Sequence, residues 1–358
     1  MFIKEFFGLV GLATGFVFAQ PLYAGSDQTT SGLPDLIDRK FGLTDLIGDN
    51  SRFNLDFSVR GIYTDVDQEW AGEAFFGIDI LKTFTSADGD WGSLNLQFYL
   101  TQLMDQPNRG SFFEEDHDLK LVTRITSFNY TGLADGKLNF KVGHFEIPYG
   151  LEVPINTNGT LRQLNTGSNI GVKADWGVGI NGVLPRFQYE LTYTKATGQD
   201  IKLSVDTYIV AGRIGTPTDG ESFSGVPAVG LSFFYGELDT PGGLVDRTRF
   251  GFDAAQYFGP FTLMGELSVG SDNGDDIANA FVELNLINRD ETLVYYTQLK
   301  SLNKEIADDW KDAWSSALGL RYIPDNHWAL SAQVAQQWDT FTANEARTIF
   351  SLQSRYRF

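Results

Sequence analysis

The stretch Phe53-Asn54-Leu55-Asp56-Phe57-Ser58-Val59-Arg60 alternates without a break. Phe53, Leu55, Phe57 and Val59 share one face, and Tyr63 continues it; Asn54, Asp56, Ser58 and Arg60 share the other. Successive strand side chains point to opposite faces, so period two predicts a strand with one apolar and one wet side. The pattern returns along the chain. Leu94, Leu96, Phe98 and Leu100 oppose Asn95, Gln97 and Thr101. Phe187, Tyr189, Leu191 and Tyr193 oppose Gln188, Glu190, Thr192 and Thr194. Near the end, Trp328, Leu330, Ala332, Val334 and Trp338 oppose Ser331, Gln333 and Gln337.

Working outward, sixteen such segments are predicted, near 52–63, 71–83, 92–102, 118–130, 137–145, 170–182, 186–195, 203–214, 228–236, 248–258, 261–269, 277–288, 291–300, 313–323, 327–338 and 347–358. Parity is mixed in 170–182 and 203–214, and 291–300 is apolar on both faces. Short polar turns follow even-numbered strands, as at Ala134-Asp135-Gly136, Leu184-Pro185, Phe258-Gly259-Pro260, Asn288-Arg289-Asp290 and Pro324-Asp325-Asn326. Odd-numbered strands are followed by longer, often acidic connections: Gln102–His117, Glu146–Asn169, Gly236–Asp246, Gly270–Asp276 and Ser301–Asp312. Thr64–Trp70 and Thr216–Pro227 break that rule. The last segment ends Phe350, Leu352, Tyr356, Phe358, an alternating strand closed by a terminal aromatic that resembles the signature strand of outer-membrane proteins.

A soluble β-sandwich also alternates, but its inner face packs a sealed core. Here the apolar faces carry aromatics near strand ends (Tyr63, Trp70, Trp91, Trp314, Trp328, Trp338), as at a membrane interface. The opposite faces carry charges in mid-strand, which a sealed core does not accept unpaired. A closed barrel has no free edge in lipid. The expected fold is therefore all-β: a transmembrane antiparallel up-and-down β-barrel of about 16 strands over 51–358.

Lys4, the apolar run Phe6–Phe18 and the small-residue site at Ala24 predict a cleaved signal peptide, 1–24. Beyond it no stretch approaches the ~20 apolar residues of a membrane helix. Residues 25–50 read as a leader or a short helix, with Leu36, Ile37, Phe41, Leu43, Leu46 and Ile47 at roughly helical spacing. The chain has 46 acidic and 27 basic residues, a net charge of −19, and no cysteine, which excludes cysteine nucleophiles and Cys-ligated zinc. The acidic density sits at Glu114-Glu115-Asp116, Asp272, Asp275-Asp276 and Asp308-Asp309, read as loops and mouths.

The segment Val142-Gly143-His144-Phe145-Glu146-Ile147-Pro148-Tyr149-Gly150-Leu151-Glu152 resembles the VG-x-F-x-x-P-[FY]-G-x-E stretch of the phosphate-selective porin O/P family. Phe258–Glu266 is similar to its GPF-x-L-x-x-E turn, and Ala211–Pro217 to its AR-x-x-x-x-P segment. The resemblance spans roughly 50–358 and implies a sixteen-stranded, trimeric barrel conducting small anions or other small solutes. It departs in charge: no basic ladder of the kind that serves phosphate maps onto this acidic chain.

Strand parity predicts the lining of the interior. Its basic members are Arg60, Lys120, Arg124, Lys141, Lys173, Arg213, Arg249, Arg321 and Arg355. Its acidic members are Asp56, Glu73, Asp79, Glu190, Asp253, Glu266 and Glu283. A basic wall set against an acidic one would orient polar solutes, whereas rings of one sign select ions. The mixed lining favours the first design; for any single residue the alternative is that it pairs and solvates the wall. Residues 146–169, carrying Glu146, Glu152 and Arg162, are expected to fold inward as a constriction loop, the alternative being packing on neighbouring loops or a subunit. The function implied is an outer-membrane porin passing small hydrophilic solutes or ions. A phosphate-type anion channel is the alternative, with a structural or enzymatic barrel behind it. No enzyme is expected: the three histidines (His117, His144, His327) sit near turns or on the lipid-facing parity, and no Gly-x-Ser-x-Gly element occurs. No cofactor is implied, and Asp272-Asn273-Gly274-Asp275 lacks the full ligand spacing of a calcium loop. Expected partners are outer-membrane lipid and lipopolysaccharide, small solutes or ions, and further copies of the chain in a homotrimer; nucleic acid is not among them.

Overall fold

The computed structural model describes residues 48, 50–66, 68, 70–87, 89–104, 120–155, 157, 159–200, 206–217, 227–240, 243–306, 309–338 and 346–358. The expected signal peptide, nearly all of the 25–50 leader, Glu114–Asp116, His117 and Asp308 lie outside the described residues.

Sixteen strands form one closed antiparallel barrel. They are β1 (Ser51–Thr64), β2 (Trp70–Ser86), β3 (Gly89–Met104), β4 (Lys120–Leu133), β5 (Leu138–Glu146), β6 (Ala174–Val183), β7 (Gln188–Thr194), β8 (Tyr208–Gly215), β9 (Ala228–Thr240), β10 (Gly243–Phe258), β11 (Phe261–Asp272), β12 (Asp275–Ile287), β13 (Leu293–Ile306), β14 (Asp309–Tyr322), β15 (Trp328–Gln337) and β16 (Arg347–Arg357). Each strand pairs with its sequence neighbours, and β16 returns to β1, with Asp56 opposite Arg357 and Thr64 opposite Ile349. The terminal aromatic completes this seam. Leu55 N–H donates to the Phe358 carbonyl at 2.5 Å, and Phe358 N–H donates back to the Leu55 carbonyl at 2.9 Å. Closure leaves no backbone edge to satisfy.

Burial is inverted relative to a soluble protein. In β11, Leu263, Leu267 and Val269 are exposed while Thr262, Met264, Glu266 and Ser268 are buried. In β12, Val282 and Leu284 are exposed while Glu283 is fully buried. The apolar face points out and the charged face points in, the arrangement a lipid solvent selects. Aromatics gather at both ends of the wall. Tyr63 lies 5.5 Å from Trp70 and 6.3 Å from Phe350 at one end. At the other, Trp91 lies 5.1 Å from Phe84, and Trp328 lies 4.8 Å from Tyr356.

Three of the connections expected to be long are instead strand. β9 and β10 run to Thr240 and from Gly243, β11 and β12 meet across 273–274, and β13 and β14 run to Ile306 and from Asp309. Asn273 and Gly274 both have positive φ (52° and 95°), the backbone of a two-residue I′ hairpin. Polar, acidic sequence there marks water, not loss of strand: above the lipid the outer face has no apolar requirement. Asp272 closes β11 beside this hairpin and is buried there. It is 7% exposed at the end of β11, held by Arg247 (2.8 Å) and Arg249 (2.7 Å).

The mixed parity of 170–182 also has a cause. Its first residues are not strand: Thr166–Ile170 form a short helix, α1, closed by Gly171 at φ 82°, and β6 starts at Ala174. The connection between β5 and β6 is thus 147–173, with Glu146 the last residue of β5, paired with Ala174.

Candidate functional site

The connection 147–173 crosses the barrel interior. It leaves from β5, yet its atoms bond to strands around the opposite wall. Gly150 N–H donates to Ser232 Oγ of β9 at 3.0 Å, and Leu151 N–H donates to Glu266 Oε2 of β11 at 3.1 Å. Tyr149 Oη meets Ser268 Oγ at 2.6 Å. Asn169 of α1 accepts from Asn279 of β12 at 2.5 Å and from Arg249 Nε of β10 at 3.2 Å. Arg162 donates from Nε to Glu283 Oε1 of β12 at 2.7 Å. Lys300 of β13 reaches the carbonyls of Gln163 (2.9 Å) and Leu164 (3.3 Å). The tip touches the seam, where Gln353 donates to the Gly159 carbonyl at 2.7 Å and Arg60 to the Thr160 carbonyl at 3.3 Å.

The local sequence explains why the segment can lie so close to the wall. Gly150 has φ 61°, and a Cβ there would sit 1.9 Å from Glu266 Oε2. Beneath it, Ile147, Tyr149, Ile170 and Val172 join Ile209, Phe234 and Leu238 in one buried apolar cluster. Leu151 and Leu164 join Met264 and Phe281 in a second. Burial pushes the Tyr149 phenol up to about 12, so it stays a neutral hydrogen-bonding group near neutral pH. Inside the segment, Glu152 accepts from Thr157 at 2.9 Å and pairs with Lys173 at 3.1 Å. Lys173 therefore belongs to the connection and not to a strand, and its second bond goes to Gln163 at 2.9 Å.

The remaining wall charges occur mostly in pairs. Arg60 meets Glu73 (3.2 Å), Lys141 meets Glu190 (2.5 Å), Arg213 meets Asp253 (2.6 Å), Arg355 meets Asp56 (2.5 Å) and Arg357 meets Asp79 (2.6 Å). Arg249 is buried between Asp272 and Asn169. Acids and bases are thus interleaved strand by strand, and two opposed walls of single sign are not formed by these residues. Glu266 bonds to no cation among the described residues; its partners are Leu151 N–H and, at 3.5 Å, Asn169. Lys120 opens β4 opposite Thr101. Arg124 occupies a β-bulge, skipped between Thr123 and Ile125 in the β3 register, and lies 5.3 Å from the Tyr99 ring. The side chain of Arg321 in β14 has no ion pair or hydrogen bond among the described residues.

Inward glycines let side chains two strands apart meet. Tyr99 of β3 lies across Gly77 of β2 to reach Asp56 of β1 at 3.0 Å, while also donating to Asp79 at 3.1 Å. Tyr296 of β13 crosses Gly319 of β14 to donate to Gln333 of β15 at 3.0 Å. Arg213 of β8 and Asp253 of β10 meet over Gly230 of β9. Parity reading missed Tyr99, Tyr296, Gln298, Lys300 and Arg357. For Lys300 the signal was present, since it shares parity with Gln298, but the apolar runs around it hid which face was which. His144 shares the parity of exposed Phe140 and Val142 but is fully buried, with Nδ1 2.8 Å from the Arg124 carbonyl and its ring 5.2 Å from Trp176.

No family model matches the chain, and no curated protein sequence matches it. Solved structures do. Pseudomonas putida OprB in its high-pH structure is similar over 90% of this chain and 97% of its own, at 11% identity and a TM-score of 0.66. The anion-selective porin from Comamonas acidovorans is similar over 86% of this chain and 99% of its own, at 13% identity and a TM-score of 0.61. In vitro folded OmpT of Vibrio cholerae, in its trimer form, is similar over 86% and 99%, at 12% identity and a TM-score of 0.61. At these identities the likeness is one of fold: this chain has the closed sixteen-strand barrel of bacterial outer-membrane porins.

Proposed function

We propose that the protein is a bacterial outer-membrane porin that lets small hydrophilic solutes or ions diffuse passively through a water-filled channel. The observation that carries this reading is the connection 147–173, bonded across the interior of a barrel that is apolar outside and charged inside. In this reading it narrows the channel, with Glu152 and Arg162 on the narrowing segment and Glu146 at its root. The paired charges of Arg60, Arg213, Arg355, Asp56, Glu73 and Asp253 form a polar wall that replaces hydration for a passing solute. The connections after odd strands face outward, and both barrel ends of the chain face the periplasm. Assembly as a homotrimer, with lipid and lipopolysaccharide around it, follows from the same reading; the trimer form of Vibrio cholerae OmpT supports it by analogy of fold.

A specialised anion channel of the phosphate-selective O/P kind is the second reading. It is favoured by the Val142–Glu152 motif, which contains Gly150 and the residues that seat the connection on β9 and β11. Purified protein in planar bilayers tests both. Stepwise potassium chloride currents are the expected result, and folded protein that conducts nothing would overturn the channel. Competition of phosphate with chloride current separates the second reading from the first.

A further inference from the structure

Below the tip of the connection lies a cavity of about 170 Å³. One side is formed by Ile155, Thr157, Thr160, Leu161 and Arg162, and the other by the strand ends that flank the turns at 259–260, 288–292 and 323–327. It therefore opens toward the end of the barrel that holds both ends of the strand series. Met264, Ile287 and the rings of Tyr257 and Tyr296 supply apolar wall; Arg162 and Arg321 supply charge. Among the described residues no Asp or Glu lines it. Glu283, just behind, neutralises Arg162 at 2.5 Å. Arg321 has no such partner among the described residues, and Arg162 and Arg355 both stand close enough to act on it electrostatically. The cavity thus carries about one uncompensated positive charge next to apolar surface.

That combination discriminates between anions. A guanidinium presents a planar fork that matches a carboxylate. Apolar walls reward a ligand that brings hydrocarbon with its charge and give nothing to a compact, strongly hydrated ion. Inorganic phosphate would also bring a second charge, and the other lining cation among the described residues, Arg162, is already paired with Glu283. The geometry points to a binding station for small monocarboxylates with an apolar or aromatic body, held by Arg321 on the exit side of the narrowing. This rests on the channel reading above and names the solute class it serves.

The test uses the full chain with sodium benzoate, sodium phosphate and benzyl alcohol as probes. In planar bilayers, benzoate is expected to reduce the potassium chloride current with saturation, while phosphate at the same ionic strength and neutral benzyl alcohol do not. Arg321→Met keeps the length and removes the charge; it should weaken the benzoate effect roughly tenfold, a loss of about 1.4 kcal/mol. Ser331→Asp sets a carboxylate on the residue directly opposite Arg321 in β15 and should produce the same loss by compensation, covering the case in which Arg321→Met does not fold. Calorimetric titration of benzoate into the detergent-solubilised barrel reads binding without conductance. A folded protein that binds benzoate but carries no current would sink the channel reading alone. A conducting channel that benzoate blocks no better than phosphate or benzyl alcohol, or that it blocks as strongly in both variants as in the unsubstituted protein, would overturn the carboxylate station.

Discussion

The interior wall has two halves that share one parity but differ in what their side chains do. Along β9–β13, Ser232, Arg249, Glu266, Asn279, Glu283 and Lys300 are engaged by the crossing connection. Along β16 and β1–β3, Arg355, Arg357, Asp56, Asp79 and Tyr99 mostly satisfy one another. The first half is the main mounting for the connection; the second mostly pairs within itself and, among the described residues, meets the connection at its tip through Gln353 and Arg60. The comparison teaches that an inward charge in a barrel has two destinations, structural anchoring and lumen lining. Only the first couples the wall to the width of the passage.

The largest effect on stability is expected where a charge is most enclosed. Asp253→Ala strands Arg213 beside Gly230 and should destabilise the barrel by about 3–5 kcal/mol, read as a lowered urea midpoint in lipid vesicles. Gly150→Val should come next in consequence, acting on the passage. A branched side chain at φ 61° against Glu266 unseats the connection, and single-channel conductance should rise roughly twofold; unchanged conductance would separate the connection from the width of the passage. Glu283→Gln keeps the shape but frees Arg162. The reversal potential in a salt gradient should move toward anions, whereas Asp79→Asn on the other half, freeing the more exposed Arg357, should move it less. The smallest effect belongs to Tyr149→Phe, which removes one hydrogen bond to Ser268 and should cost about 1 kcal/mol with little change in current.

How far each half could be read from sequence differs for a physical reason. Asp56, Arg60 and Glu73 sit in clean alternating strands, so their inward direction follows from counting. Arg124 breaks the count because a bulge adds a residue, and only the β3 register reveals it. Lys173 was legible as a charge near the site but not as part of the connection, since α1 interrupts what looked like the start of a strand. Asp272 was legible as an acid near a turn, yet its burial depends on Arg247 and Arg249 arriving from the neighbouring strand. Of the acids that suggest loops, Asp272, Asp275, Asp276 and Asp309 lie in strands, because strands continue above the apolar belt.

The sequence by itself determined the barrel: sixteen alternating segments, an apolar outside, a charged inside and a terminal aromatic at the seam. Those are local properties, because period two is a property of each strand alone and lipid tolerates one face only. Only the packed barrel fixes which inward charges pair, which anchor the crossing connection, and that the Arg321 side chain has no ion pair among the described residues where it lines the cavity. Those outcomes depend on register between strands, on inward glycines that let Tyr99 meet Asp56 and Arg213 meet Asp253, and on a loop that bonds 194 residues away. No window of sequence contains both partners of such contacts, so alternation alone cannot specify them.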